Sequence, residues 1–173
     1  MARFLPLLLA LLVALPSAAT ASEPTDYAGK WTFDEASTGR ADAEKAIEVA
    51  AEAFPKLFRG LVRRKLEPAA RIVDFFDFAP GPDSITVNTS ASRGWTTDLS
   101  GTPVPKLTDK GEAVMIKRWM EGGRLHSHGG NDNGGTTYVF TLESPERLRV
   151  DVKVEAERLP EPLAFSLRYL RAP

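Results

Sequence analysis

Tyr27-Ala28-Gly29-Lys30-Trp31-Thr32-Phe33 is the stretch whose reading decides the fold. Gly29-Lys30-Trp31 is a Gly-x-Trp at the head of a first β-strand, with Trp31 and Phe33 on one face of it. The far end of the chain is also a strand, Phe165-Ser166-Leu167-Arg168-Tyr169-Leu170-Arg171. A Trp-bearing first strand, a strand-terminated chain and mostly period-two pattern between them predict a mainly β fold. The expected architecture is an antiparallel meander closed into a small barrel, a form that often holds one small apolar ligand.

Upstream of this stretch, Met1-Ala2-Arg3 supplies a positive start and Phe4–Leu15 is apolar apart from Pro6. Ala19-Thr20-Ala21 follows with small residues at the recognition positions of a signal peptidase. Residues 1–21 are therefore expected to be a signal peptide cleaved before Ser22. The apolar run is short for a membrane span. The chain has 173 residues, so removal of 21 leaves 152, which suits one domain over 22–173 with one sizeable core. There are 22 basic residues, Arg3 among them, and 23 acidic ones, so the mature chain carries a net charge of −2. That balance argues against a dedicated nucleic-acid binder. The chain has no cysteine, which excludes disulfides, thiol catalysis and thiolate metal sites. Export to the periplasm or the extracellular space is the expected destination.

Downstream, Asp42 is a candidate N-cap for a helix over Ala43–Phe54, interrupted by Pro55. A second helix is expected over about Lys56–Leu66, giving a helical insertion at about 42–66 between the first two strands. Leu57, Phe58, Leu61 and Val62 fall at helical spacing, while Arg59, Arg63, Arg64 and Lys65 fill the other side. From Ala70 the period changes to two. Strands are expected over Arg71–Ala79, Ser84–Ala91, Glu112–Glu121, Arg124–His128, Thr136–Glu143, Arg147–Glu157 and Leu163–Arg171. Residues 92–111 are ambiguous, with Pro103 and Pro105 pointing to short or edge strands, and Gly129–Gly135 is expected to be a loop. Arg147–Glu155 is the clearest strand: Leu148, Val150, Val152 and Val154 face one way and the charged residues the other.

The Gly-x-Trp of the first strand and the strand-rich chain from Ala70 to Arg171 resemble the calycin superfamily of lipocalins and fatty-acid-binding proteins. The resemblance implies a barrel in which Trp31, introduced by Gly29, plugs one end under an arginine from late in the chain, Arg168 or Arg171. Residues 42–66 occupy the position of the two lid helices of fatty-acid-binding proteins. Two features depart from these families. The chain stops on a strand where lipocalins carry a helix. The Arg-x-Tyr that binds the ligand carboxylate in fatty-acid-binding proteins is absent, because Arg168 and Tyr169 are adjacent and point to opposite faces. Tyr169 and Arg171 share a face and are the substitute pair for a polar headgroup.

Three functional readings follow. In the first, the protein is an exported, non-enzymatic barrel for a small hydrophobic or amphipathic molecule, including lipids, with no cofactor. Its candidate ligand-binding residues are Tyr169, Arg171, Tyr138, Phe140, Phe76 and Phe58. Gly29, Trp31 and Arg168 would close the barrel, and residues 56–66 could touch an anionic membrane. In the second, the protein is a metal-dependent β-barrel enzyme or a metal-binding protein in which His126 and His128, two apart on a strand and so on one side of it, hold the metal with Asp132 as a third ligand. Their place beside a glycine-rich loop favours solvated hairpin residues instead, and a metal site would need a further His or carboxylate from a distant strand. In the third, the same aromatic residues fill a solid core and the domain is structural. The sequence contains no Gly-x-Ser-x-Gly elbow, phosphate-binding glycine loop or His-Glu-x-x-His.

Overall fold

A computed structural model describes residues 21–108 and 111–173, with Arg93 by its backbone alone. The signal peptide expected over residues 1–21 lies, Ala21 apart, outside the described residues. The chain enters through a 3₁₀ turn, Pro24–Tyr27, and continues as β1 (Gly29–Phe33), α1 (Gly39–Glu52) and α2 (Lys56–Leu66). The strands that follow are β2 (Phe75–Pro80), β3 (Ser84–Thr89), β4 (Ser92–Asp98), β5 (Val104–Leu107) and β6 (Ala113–Glu121). The series ends with β7 (Arg124–Asn131), β8 (Gly134–Ser144), β9 (Arg147–Ala156) and β10 (Leu163–Arg171). All ten strands belong to one antiparallel sheet in the order β4-β3-β2-β1-β10-β9-β8-β7-β6-β5. The fold is thus a mainly β, antiparallel, nearly closed barrel with a helical pair between β1 and β2.

Closure is made by the two terminal strands. β1 pairs with β10 through Trp31↔Arg171 and Phe33↔Tyr169, and with β2 through Trp31↔Phe76. The opening lies between β4 and β5, which are consecutive in the chain but stand at opposite ends of the sheet order. The period-two pattern is realised most fully in β9 and β10. Leu148, Val150, Val152 and Val154 are buried and pair with the buried Tyr169, Leu167, Phe165 and Leu163. Each such position removes an apolar side chain from water, worth about 1.5–3 kcal/mol relative to exposure.

Several boundaries differ from the sequence-based expectation. α1 begins at Gly39, with Thr38 rather than Asp42 at the N-cap. Asp42 sits in the first turn, where its carboxylate accepts from Thr38 Oγ1 at 2.8 Å. Gly39 rests against β10 so closely that a Cβ would meet Leu167 Cδ2 at 3.0 Å. The segment 71–74 is not strand, and β2 starts at Phe75. Residues 92–111 contribute two strands, β4 and β5. The expected loop 129–135 is instead continuous ladder through Gly129↔Thr136 and Gly130↔Gly135, turned only at Asp132-Asn133. Glycine is needed there for close backbone approach, since a Cβ on Gly135 would lie 2.8 Å from Gly129 O.

Candidate functional site: the barrel lumen and its two ends

The closed end is built around Trp31, which is fully buried. Its indole Nε1 donates to Tyr27 O at 2.8 Å. The Tyr27 hydroxyl in turn donates to Phe140 O at 3.0 Å and accepts from Leu125 N at 3.3 Å. The arginine over the indole is Arg171, with Cζ 4.2 Å from a ring centroid. Its guanidinium also donates to Pro145 O at 2.7 Å and Asp26 O at 2.9 Å, and to Ala28 O. Gly29 takes φ of +98°, a conformation side chains disfavour, and so brings Ala28 O within reach of Arg171. Arg168 does not buttress the Trp. It is an outward position of β10, 55% exposed, with its Nε 3.7 Å from Glu143 Oε2. The substitute headgroup pair is also not assembled, because Arg171 is spent on the plug and the Tyr169 hydroxyl donates to Val73 O at 2.8 Å.

Above the plug, the lumen is lined by aromatic rings. Phe76 packs edge-on against Phe140 and Tyr169, each with ring centroids 5.1 Å apart, and against Tyr138 at 5.8 Å. Burial raises the phenol pKa values of Tyr138 and Tyr169, so both remain neutral hydroxyls at physiological pH. The rings do not fill the barrel. A cavity of about 300 Å³ remains, bounded by Phe76, Tyr138 and Phe140 on one side and by Trp95, Ile116 and Arg118 on the other. It therefore lies toward the β4/β5 opening. Phe58 takes no part in it. That residue is 51% exposed on α2 and borders a separate groove of about 570 Å³ with Leu61, Val154 and Leu159.

Arg118 is the residue that sequence reasoning missed. It is 4% exposed, on the inward face of β6 between Ile116 and Met120. Its Nη1 crosses the opening to donate to Trp95 O at 2.7 Å and Thr97 Oγ1 at 3.2 Å, with Ile85 O at 3.4 Å. Nε donates to Ser127 Oγ at 3.3 Å. Two further links help to hold the seam: Gly101 N donates to Arg118 O at 2.9 Å, and Ser100 bridges Trp119. Among the described residues no carboxylate lies at ion-pair distance from Arg118. Desolvation pulls its pKa down to about 10, which still leaves it a cation at neutral pH. The signal was present in Val114-x-Ile116-x-Arg118-x-Met120, one charged residue on an otherwise apolar strand face.

The helices cover the barrel unequally. α1 packs on β10 and buries Ala43 and Ala51. α2 buries only Leu66 and half-buries Val62, and leaves the rest of its apolar face uncovered: Leu57 is 88% exposed, and Phe58 and Leu61 are exposed with it. Its basic side is also partly committed. Arg59 donates to Phe54 O and Glu52 O, and Arg63 pairs with Glu48. Lys56, Arg64 and Lys65 remain at the surface beside the exposed apolar residues.

The two histidines lie on the outer face of the barrel. His126 stacks on Trp119 with centroids 4.9 Å apart, and His128 Nδ1 lies 2.9 Å from Thr137 Oγ1. Asp132 is at the exposed hairpin turn. Among the described residues no three His, Cys, Asp or Glu side chains are placed to hold a metal. Desolvation lowers the pKa of both imidazoles. For His126 Glu121 opposes the shift and Arg124 adds to it, while for His128 Lys117 adds to it and Glu155 opposes it.

No family model matches the sequence. No curated protein matches it either. The fold does have relatives among solved structures. A secretory abundant heat soluble protein from Ramazzottius varieornatus superimposes with a TM-score of 0.57 at 13% identity, over 85% of this chain and 96% of that one. Lipid binding protein 8 of Caenorhabditis elegans gives 0.54 at 11% identity, over 87% and 99% of the two chains. A Schistosoma mansoni fatty acid binding protein in complex with arachidonic acid gives 0.53 at 14% identity, over 86% and 98%. The barrel is thus similar to those of the calycin fold, which the sequence resemblance anticipated.

Proposed function

We propose that this chain is an exported carrier that binds a small hydrophobic or amphipathic molecule inside its barrel. The observation that carries the reading is the cavity of about 300 Å³ among Phe76, Tyr138, Phe140 and Trp95. Barrel interiors that serve only as core are filled by side chains, and this one keeps a half-open space of a size that ligand pockets start from. One end is sealed by the Trp31–Arg171 plug, while the β4/β5 side has no continuous ladder. The names of two structural relatives, a lipid binding protein and a fatty acid binding protein, support the same class of ligand. The exposed apolar residues of α2, flanked by Lys56, Arg64 and Lys65, fit a helix that meets an anionic lipid surface where such a ligand is exchanged. The apolar leader of residues 1–21 supports export.

Native mass spectrometry on the mature chain, produced by its own export route, tests the carrier reading. The expected result is a mass excess released on denaturation as organic material, or uptake of added lipid by the empty protein. A chain that carries nothing and takes up no lipid across a panel of acids, alcohols and esters would return the barrel to a structural role. Detection of the precursor uncleaved in the cytoplasm would remove the export part alone.

A further inference from the structure

We infer that the lumen is entered through the seam between β4 and β5, and that Arg118 is the latch that holds this seam shut. The inference rests on the carrier reading above and gives it an entry route.

β4 and β5 follow one another in the chain, yet they stand at the two ends of the sheet order, and among the described residues no backbone hydrogen bond joins them. All other neighbouring strands of the barrel are hydrogen-bonded. The cavity reaches both lips of this seam, with Ser92 and Trp95 on one side and Thr108 and Val114 on the other. None of the residues that bound it belongs to α1 or α2, so the helical pair is not its lid. One end of the barrel is sealed by the Trp31–Arg171 plug. At about 300 Å³ the space sits at the lower limit of ligand pockets, so a chain-like molecule enters by parting the wall. The seam is the part of the wall that opens without breaking a ladder.

Arg118 is placed to hold the lips together. From β6 its Nη1 donates to Trp95 O at 2.7 Å, Thr97 Oγ1 at 3.2 Å and Ile85 O at 3.4 Å. Among the described residues no other hydrogen bond ties β6 to β3 or β4. A latch of this chemistry is reversible: its acceptors are neutral oxygens, and a guanidinium that lets go of them regains the water it lost on burial. The ladder that attaches β4 to β3 also shifts register between Val87 and Thr89, and such an irregularity lets a strand bend. Release of Arg118 therefore lets the part of β4 around Ser92 swing away from β6.

The test is stopped-flow fluorescence on the mature protein with ω-bromooctanol, a neutral probe whose bromine quenches an indole only at contact. Of the three tryptophans, Trp95 alone borders the cavity, so quenching reports entry into the lumen. Dissociation is followed by mixing the complex with excess octanol. Thr97→Val removes one partner of the latch without touching the cavity. In it association and dissociation are both expected to quicken about tenfold, with the Kd unchanged. Arg118→Met removes the whole latch and is expected to quicken both further. If Arg118→Met fails to fold, Thr97→Val decides alone. Glu48→Ala breaks the ion pair between α1 and α2 and is expected to leave both rates as they are. Unaltered rates in Thr97→Val, or a faster dissociation alone with a weaker Kd, overturn the inference and leave the carrier reading standing. An acceleration in Glu48→Ala as large as that in Thr97→Val also overturns it, because the helices would then be the gate. Absence of quenching in the unaltered protein overturns the carrier reading and the seam together.

Discussion

Arg168 and Arg171 sit three residues apart on β10 and face opposite ways, so their removal separates a buried plug from a surface ion pair. Arg171→Ala gives up the cation–π contact with Trp31 and three charge-assisted bonds to backbone carbonyls. A loss of about 2 kcal/mol is expected in urea unfolding. Arg168→Ala, at a mostly exposed pair with Glu143, should cost less than about 1 kcal/mol. Equal losses would mean that Arg171 does not buttress the indole. The histidines make a second residue-scale prediction. Their folded pKa values lie below the ordinary imidazole value of about 6.5, so below that pH the unfolded chain binds more protons than the folded one. Stability is therefore expected to be unaffected by them above pH about 6.5 and to fall as the pH drops through it toward the folded values. Unfolding of His126→Gln/His128→Gln should show a flatter pH dependence in that window, and an unchanged slope would contradict the assignment. The pair was legible in the sequence as two same-side residues, and so it proved. That the side faces outward, with Trp119 stacked on His126, depended on which face of β7 the barrel turns inward.

At the scale of elements, hairpins and helices behave differently. The β7–β8 hairpin depends on Gly134, whose φ of +146° and contacts with Glu155 O and Ala156 Cα leave no room for a side chain. Gly134→Ala should destabilise the fold by more than about 1 kcal/mol, measured by chemical denaturation. A neutral outcome would mean that the hairpin relaxes without cost. A glycine-rich run commonly marks a loop, so the sequence pointed there. Only the neighbouring backbone of β9 explains why glycine is compatible with continuous ladder. For α2, co-sedimentation with phosphatidylglycerol vesicles is the informative measurement. Replacing Leu57, Phe58 and Leu61 by Ser should abolish binding. Each of Lys56, Arg64 and Lys65 removed should weaken it by about 1 kcal/mol, roughly fivefold. Binding that survives the apolar substitutions would sink the proposed membrane contact. The helix itself was readable from its 3.6-residue spacing, and its ends are as expected. The exposure of its apolar side was not, because amphipathic spacing identifies a face without saying what covers it.

For the whole molecule, Trp31→Ala is the most general perturbation. It opens a cavity under the plug and should cost about 3–5 kcal/mol, visible as a lowered midpoint in a denaturant titration. A much smaller loss would mean that the closed end collapses around the gap. What the sequence by itself determined is the architecture. Alternation along Leu148–Val154 and Leu163–Tyr169, a helical interruption after the first strand and a Trp-bearing strand at the head of the domain are local, periodic signals, and they sufficed for an antiparallel barrel. What only the tertiary structure decided is the interior: that Arg171 rather than Arg168 covers Trp31, that Phe58 stands outside, that the barrel opens between β4 and β5, and that Arg118 faces a cavity. These depend on how strands far apart in the chain are brought together, as Arg118 is with Trp95 and Ile85. Periodicity assigns a side chain to a face, but the neighbours it meets there are set by long-range register and closure.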